Sequence, residues 1–211
     1  MNSKTYARFV AGLIAGWFVF VLWGSARNLF VADPNLPPLA LGLAVVIPVA
    51  IFLSWFGASV GFRQFVMSLN PRILTFVHEW RIAGLTFLAL YSLGILPGIF
   101  ALPAGWGDIA IGTTAPLAAL QLATFQRRNW FILWQALGIL DLVTAIALGT
   151  TVRFIDPHAA ATGVMTTLPM SLIPTFGVPL MIVLHIICIA QARRWTERES
   201  VGAGEPALAI V

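Results

Sequence analysis

The sequence predicts an all-α polytopic transmembrane bundle of about six spans, with both termini cytoplasmic. Three observations predict it. The 211-residue chain is 59% hydrophobic and only 9% charged, against about 25% charged in soluble domains, so it lacks the polar residues to cover an aqueous surface. Its apolar residues gather in long uncharged runs, each close to the roughly 20 residues a helix needs to cross the hydrocarbon core. Its basic residues sit between those runs, concentrated on alternate loops.

The first run, 9–23, follows Lys4 and Arg8 and contains Gly12-Leu-Ile-Ala-Gly16, a GxxxG helix-packing motif. The same basic start, with the small residues Gly24 and Ala26 behind it, also suits a cleavable signal peptide, which would leave five spans. The second run is 38–56. The third, 74–96, carries His78, Glu79 and Arg81. After it, Pro97-Gly98 and Pro103-Ala-Gly-Trp-Gly-Asp108 predict a tight outer turn, because proline removes a donor and glycine permits positive φ. Asp108 would then cap the fourth run, 108–125, which Pro116 should kink. The fifth run, 130–149, holds Asp141, and the sixth, 173–191, holds His185. Prolines 169, 174 and 179 predict a broken or re-entrant segment over 168–179, which survives at membrane depth only where protein or a cavity satisfies the backbone. Residues 1–195 thus form a single transmembrane domain, and 196–211 a short cytoplasmic tail.

Orientation follows from the basic residues. Lys4, Arg8, Arg63, Arg72, Arg127, Arg128, Arg193, Arg194 and Arg198 fall on one side and only Arg27 and Arg153 on the other, with Arg81 inside span three. Nine against two places both termini in the cytoplasm. Trp23, Trp55, Trp80, Trp106, Trp130 and Trp195 fall near the ends of these spans, where amphipathic rings prefer the interface.

The net charge of +4 does not make a nucleic-acid protein, because the arginines are scattered in topological pairs rather than gathered in one patch. Cys188 is the only cysteine, so neither an internal disulfide nor a thiolate metal cluster is possible. His158 beside Asp156 makes no metal site alone. Walker A, HExxH, GxSxG and CxxC patterns are all absent, which argues against an ordinary hydrolase or a nucleotide-driven pump.

Charges in apolar surroundings are functional candidates, since burying one costs several kcal/mol. At about 1.5 Å of rise per residue, His78, Arg81 and His185 lie about 9, 13 and 12 Å from the cytoplasmic arginines, and Asp141 about 20 Å. Asp141 heads the candidates for binding a solute or a proton, followed by Arg81, His185, Glu79 and Asp108. A structural alternative pairs Asp141 with Arg81 to fix the bundle. Glu79 and Arg81 point to opposite sides of one helix and cannot pair with each other; a span starting near Arg81 would let both snorkel to lipid headgroups. His78 and His185, at matched depth on antiparallel spans, are a candidate axial pair for one b-type haem, the only cofactor the sequence suggests.

The stretch Trp80-Arg81-Ile-Ala-Gly84, then Phe100-Ala-Leu-Pro-Ala-Gly-Trp-Gly-Asp108, then Gly112 and Ala115-Pro116 resembles a group of uncharacterised bacterial integral membrane proteins with a W-R-x-x-G and F-A-L-P-A-G-x-G-D core. The likeness covers residues 80–120. It implies a bacterial inner-membrane location, gives added weight to Arg81 and Asp108, and brings no activity with it.

Three functions are then in play: a small-solute or proton-coupled transporter; a structural or assembly partner, packing on lipids and on other proteins or itself through Gly12/Gly16, Gly57/Gly61 and Ala145/Gly149; and a haem-holding redox subunit.

Overall fold

The computed structural model describes residues 3–31, 39–155 and 162–196, and their regular structure is entirely helical. In chain order the α-helices are α1 (Ser3–Ala26), α2 (Leu39–Ala58), α3 (Val60–Met67), α4 (Pro71–Phe76), α5 (Leu85–Ser92), α6 (Gly98–Leu117), α7 (Arg128–Ile155) and α8 (Val178–Ala192). A 3₁₀ segment, Val77–Gly84, joins α4 to α5. π-helical turns follow α6 at Ala118–Leu122 and precede α8 at Ile173–Gly177. A short 3₁₀ turn covers Thr162–Thr166.

Five stretches are long and apolar enough to cross a membrane: Lys4–Ala26, Leu39–Ala58, Pro71–Ser92, Arg128–Val152 and Ile173–Ala192. In their most apolar portions only 11% to 44% of residues are buried inside the protein. Many of the others, Val19, Ile51, Leu85 and Leu140 among them, turn large apolar side chains outward, as expected of helices with the length and composition to face hydrocarbon. α6 has the length, 20 residues, without being one of the five.

Three expectations need correcting. The segment 97–108 is not a turn: Pro97 is extended, α6 starts at Gly98, and Pro103 lies inside it. Proline and glycine break helices in water, but neighbouring helices can re-satisfy the freed backbone groups within a bundle. Asp108 is consequently no N-cap; it sits mid-helix on the stripe Ala101, Ala104, Gly105, Ile111, Gly112 and Ala115 that α6 buries. Trp106, placed at a span end, is likewise mid-helix and outward-facing, 61% exposed. The stretch carrying Arg63, between the second and third spans, contains α3. Ser59 caps it by accepting from the Phe62 N–H at 3.2 Å, and Phe62, Phe65 and Val66 bury its apolar face against Ile187. Arg63 donates back to the Phe56 and Gly57 carbonyls that end α2. The expected interruption over 168–179 takes the form of the π turn that leads into α8. The Asp156 and His158 loop, Pro38 and the tail beyond Thr196 lie outside the described residues.

The 3₁₀ segment positions the site. With three residues per turn, side chains at i and i+3 eclipse. Thr75, His78, Arg81, Gly84 and Phe87 are all buried, an unbroken three-residue repeat that an α-helix would turn progressively away. The 3₁₀ rise of about 2.0 Å also carries Arg81 deeper than the α-helical count implied.

α6 packs more extensively on this segment than any other two elements pack on each other. Glycine allows the approach: a Cβ on Gly84 would lie 2.5 Å from Cβ of Asp108 and 2.9 Å from the Gly105 carbonyl, and one on Gly112 would meet the Ile82 nitrogen at 2.6 Å. In a bundle surrounded by lipid, apolar burial would not drive helices together, and close packing and polar contact would have to.

Candidate functional site

At the centre of the bundle Arg81, only 5% exposed, reaches three other helices. Its Nε donates to Asp108 Oδ1 on α6 at 2.7 Å. Nη2 donates to Asp141 Oδ2 on α7. Nη1 donates to the Gly138 carbonyl at 3.2 Å and faces His185 Nε2 of α8 at 3.3 Å. The expectation that Arg81 snorkels to the interface is overturned, because its span begins ten residues earlier, at Pro71. Both aspartates are mostly shielded, with side chains 15% and 16% exposed.

The guanidinium fixes what lies behind it. Arginine has no acceptor, so His185 Nε2 must accept, and the ring must be the neutral Nδ1–H tautomer. Nδ1 then donates to Gln135 Oε1. That orients the amide so that Gln135 Nε2 donates to Thr75 Oγ1 at 2.9 Å, and Thr75 donates to the Pro71 carbonyl at 2.8 Å. One donor direction therefore runs from the charge cluster to the start of the third span.

Two glycines of α7 and α6 make room. A methyl on Gly138 would overlap the His185 ring, and one on Gly107 would overlap the Asp141 carboxylate.

Of the residues singled out from sequence, Asp141, Arg81, His185 and Asp108 come together. His78 joins them indirectly: it is fully buried and stacks on His185, ring centroids 3.7 Å apart and planes 15° from parallel. Neither of its ring nitrogens has a hydrogen-bond partner among the described residues. Glu79 does not join; it is partly exposed and makes no ion pair among the described residues. Gln135, 0% exposed, was missed. The signal was an uncharged amide in an apolar run, which a search for charges passes over.

The stacked histidines do not fit a haem. Axial imidazoles must stand on opposite faces of a porphyrin, each presenting a nitrogen to the iron. Here the two rings touch face to face, and both nitrogens of His185 are engaged by Arg81 and Gln135. Among the described residues no group of three or more His, Cys, Asp or Glu side chains could hold a metal ion.

The chemistry open to the cluster is ionic. One guanidinium faces two carboxylates, so with all three ionised the sum is +1 − 2 = −1. In a low-dielectric interior an uncompensated charge is costly, and a proton or a cation would balance this one.

Residues 36–193 match the family described as a domain of unknown function, DUF8737. The match takes in every residue of the cluster and leaves out α1. No curated protein and no solved structure matches the chain.

Proposed function

Since the chain belongs to the DUF8737 family, and since that description carries no activity, we propose from the site itself that it is a bacterial inner-membrane protein moving a small solute coupled to protons. Arg81, Asp108 and Asp141 form the exchange site, and His185 and His78 line it. The observation that carries this reading is the excess carboxylate. A proton on Asp141 cancels the surplus charge and loosens its hold on Arg81; its departure restores the pair. A coupled carrier needs such an exchange, and an arginine that merely locked helices together would need only one carboxylate.

The remaining features agree with that reading. Pro103 and Pro116 within α6, and the π turns at Ala118–Leu122 and Ile173–Gly177, are places where a helix can bend, and interrupted helices recur at transporter sites. Counting α6 as a crossing gives six spans and returns both termini to the cytoplasm.

The test is proton flux into proteoliposomes loaded with the pH dye pyranine, challenged with small acids, amines and sugars. Wild-type protein should give solute-dependent proton entry, and Asp141→Asn should abolish it. Flux unchanged in Asp141→Asn would end this reading.

A second reading, an assembly subunit, draws support chiefly from α1, since of the pair Gly57 and Gly61 only Gly57 is open and Gly61 faces the Tyr6 ring. Gly12 and Gly16 meet nothing within 4 Å, leaving the GxxxG face open. Ala145 and Gly149, by contrast, are used within the chain, packing on its core and on Phe100. A fixed partner that co-purifies with wild-type protein and is lost on Gly12→Leu would favour this alternative.

A further inference from the structure

At the end of the bundle opposite the α5–α6 turn, a cavity of about 780 Å3 opens between the start of the third span, the loop before α7 and the end of α8. That volume lies within the range of small-ligand sites, roughly 300–1,000 Å3. Its wall brings together Arg72 and Arg194, 122 residues apart in sequence (194 − 72), with the amides of Asn70 and Gln191 and the hydroxyl-bearing Ser68 and Thr124. No carboxylate is among the described residues that line it.

Arginines at a membrane edge are ordinarily topological, and each then faces water or lipid by itself. Two features set these apart. They share one concave wall, whose other described residues, polar and apolar alike, are uncharged. Gln191 supplies the floor. It is 3% exposed, and its Nε2 donates to the carbonyls of Val66 and Leu69 at 3.1 and 2.8 Å. That anchors α8 to the segment between α3 and α4 and holds the hollow open. Two guanidiniums in one hollow, with the Asn70 amide and the Thr124 hydroxyl beside them, are the chemistry that recognises a phosphate group.

We propose that this cavity is a binding site for a phosphate-bearing anion, either a soluble phosphate or the headgroup of an anionic phospholipid. It is separate from the Arg81 cluster and does not depend on the transport reading.

The test uses the full-length protein, delipidated in detergent. Inorganic phosphate is titrated against chloride at equal ionic strength, with thermal unfolding as the readout. In parallel, native mass spectrometry of protein taken from mixed nanodiscs compares retained phosphatidylglycerol with phosphatidylcholine. For a soluble ligand, phosphate raises the melting temperature of the wild type. For a lipid, phosphatidylglycerol is retained preferentially and phosphate gives no shift. In either case each of Arg72→Gln and Arg194→Gln weakens the response about tenfold, as loss of a charge-assisted contact implies. Arg72→Lys, which keeps the charge, retains most of it, and Arg27→Gln at the other end of the bundle leaves it unchanged. The proposal is overturned if the wild type shows neither response, or if Arg27→Gln reduces the response as much as the cavity variants do. Should Arg72→Gln fail to fold, Arg194→Gln alone decides, since it lies past the end of α8.

Discussion

His78 is the residue whose presence is hardest to justify by stability. Two buried ring nitrogens without partners among the described residues cost about 1–3 kcal/mol each, whereas an apolar side chain of similar shape would cost nothing. Replacing His78 by Phe keeps a ring to stack on His185 and removes both unsatisfied groups. We expect His78→Phe to leave the melting temperature unchanged or raise it, while lowering the proton flux that pyranine reports. A destabilised variant with intact flux would show that the imidazole serves packing alone. The sequence made much of this site legible at the level of single residues: Arg81, Asp141 and His185 stand out because charge and imidazole are rare in apolar runs. It did not show Asp108 as a partner of Arg81: that carboxylate, the last of the candidates, reads after a proline–glycine stretch as a helix cap. Nor did it reveal Gln135, whose importance lies in orienting a neighbour's tautomer.

At the scale of elements, the site depends on an overwound turn meeting a glycine-lined helix. Period-three burial from Thr75 to Phe87 needs the 3₁₀ geometry of Val77–Gly84, and that segment can approach α6 only where Gly84, Gly105 and Gly112 lack side chains. Gly84→Ala forces a methyl into Asp108 and the Gly105 carbonyl, so the helices must separate or the ion pair must shift. The expected cost is about 1–3 kcal/mol, as for other overpacked interiors. Gly42 is the matched control, being helical with nothing within 4 Å; Gly42→Ala should stabilise by about 0.5–1 kcal/mol through lost backbone entropy. Thermal unfolding in detergent measures both, and equal effects would refute the close-approach argument. Neither the overwound turn nor the start of α6 was readable beforehand. Proline and glycine carry the same letters whether they end a helix in water or sit inside one supported by neighbours. α3 was readable in principle from Phe62, Phe65 and Val66 at helical spacing, but a run of eight residues falls below the length that marks a span.

For the whole molecule, the open quantity is the number of crossings, and parity decides it. Five crossings would put the termini on opposite sides; six would put them together. Were α6 lying on the surface instead of crossing, Arg127 and Arg128 would be stranded on the side of Arg27, against the charge bias. α6 and its π turn together run from Gly98 to Leu122, and 25 residues at about 1.5 Å each exceed the roughly 30 Å of a hydrocarbon core. Its packing agrees: Asp108 meets Arg81 at mid-helix, so the middle of α6 is level with the charge cluster. Alkaline phosphatase is active only outside the cytoplasm, and green fluorescent protein fluoresces only within it when exported unfolded. A phosphatase fusion in the turn at Gly94 should therefore be active. Fusions after Gln126 and at the C-terminus should be inactive as phosphatase and fluorescent as green fluorescent protein. Activity at Gln126 would leave α6 outside the bilayer, expose the Arg81 cluster on a water-facing side, and remove the low dielectric that makes its surplus carboxylate consequential.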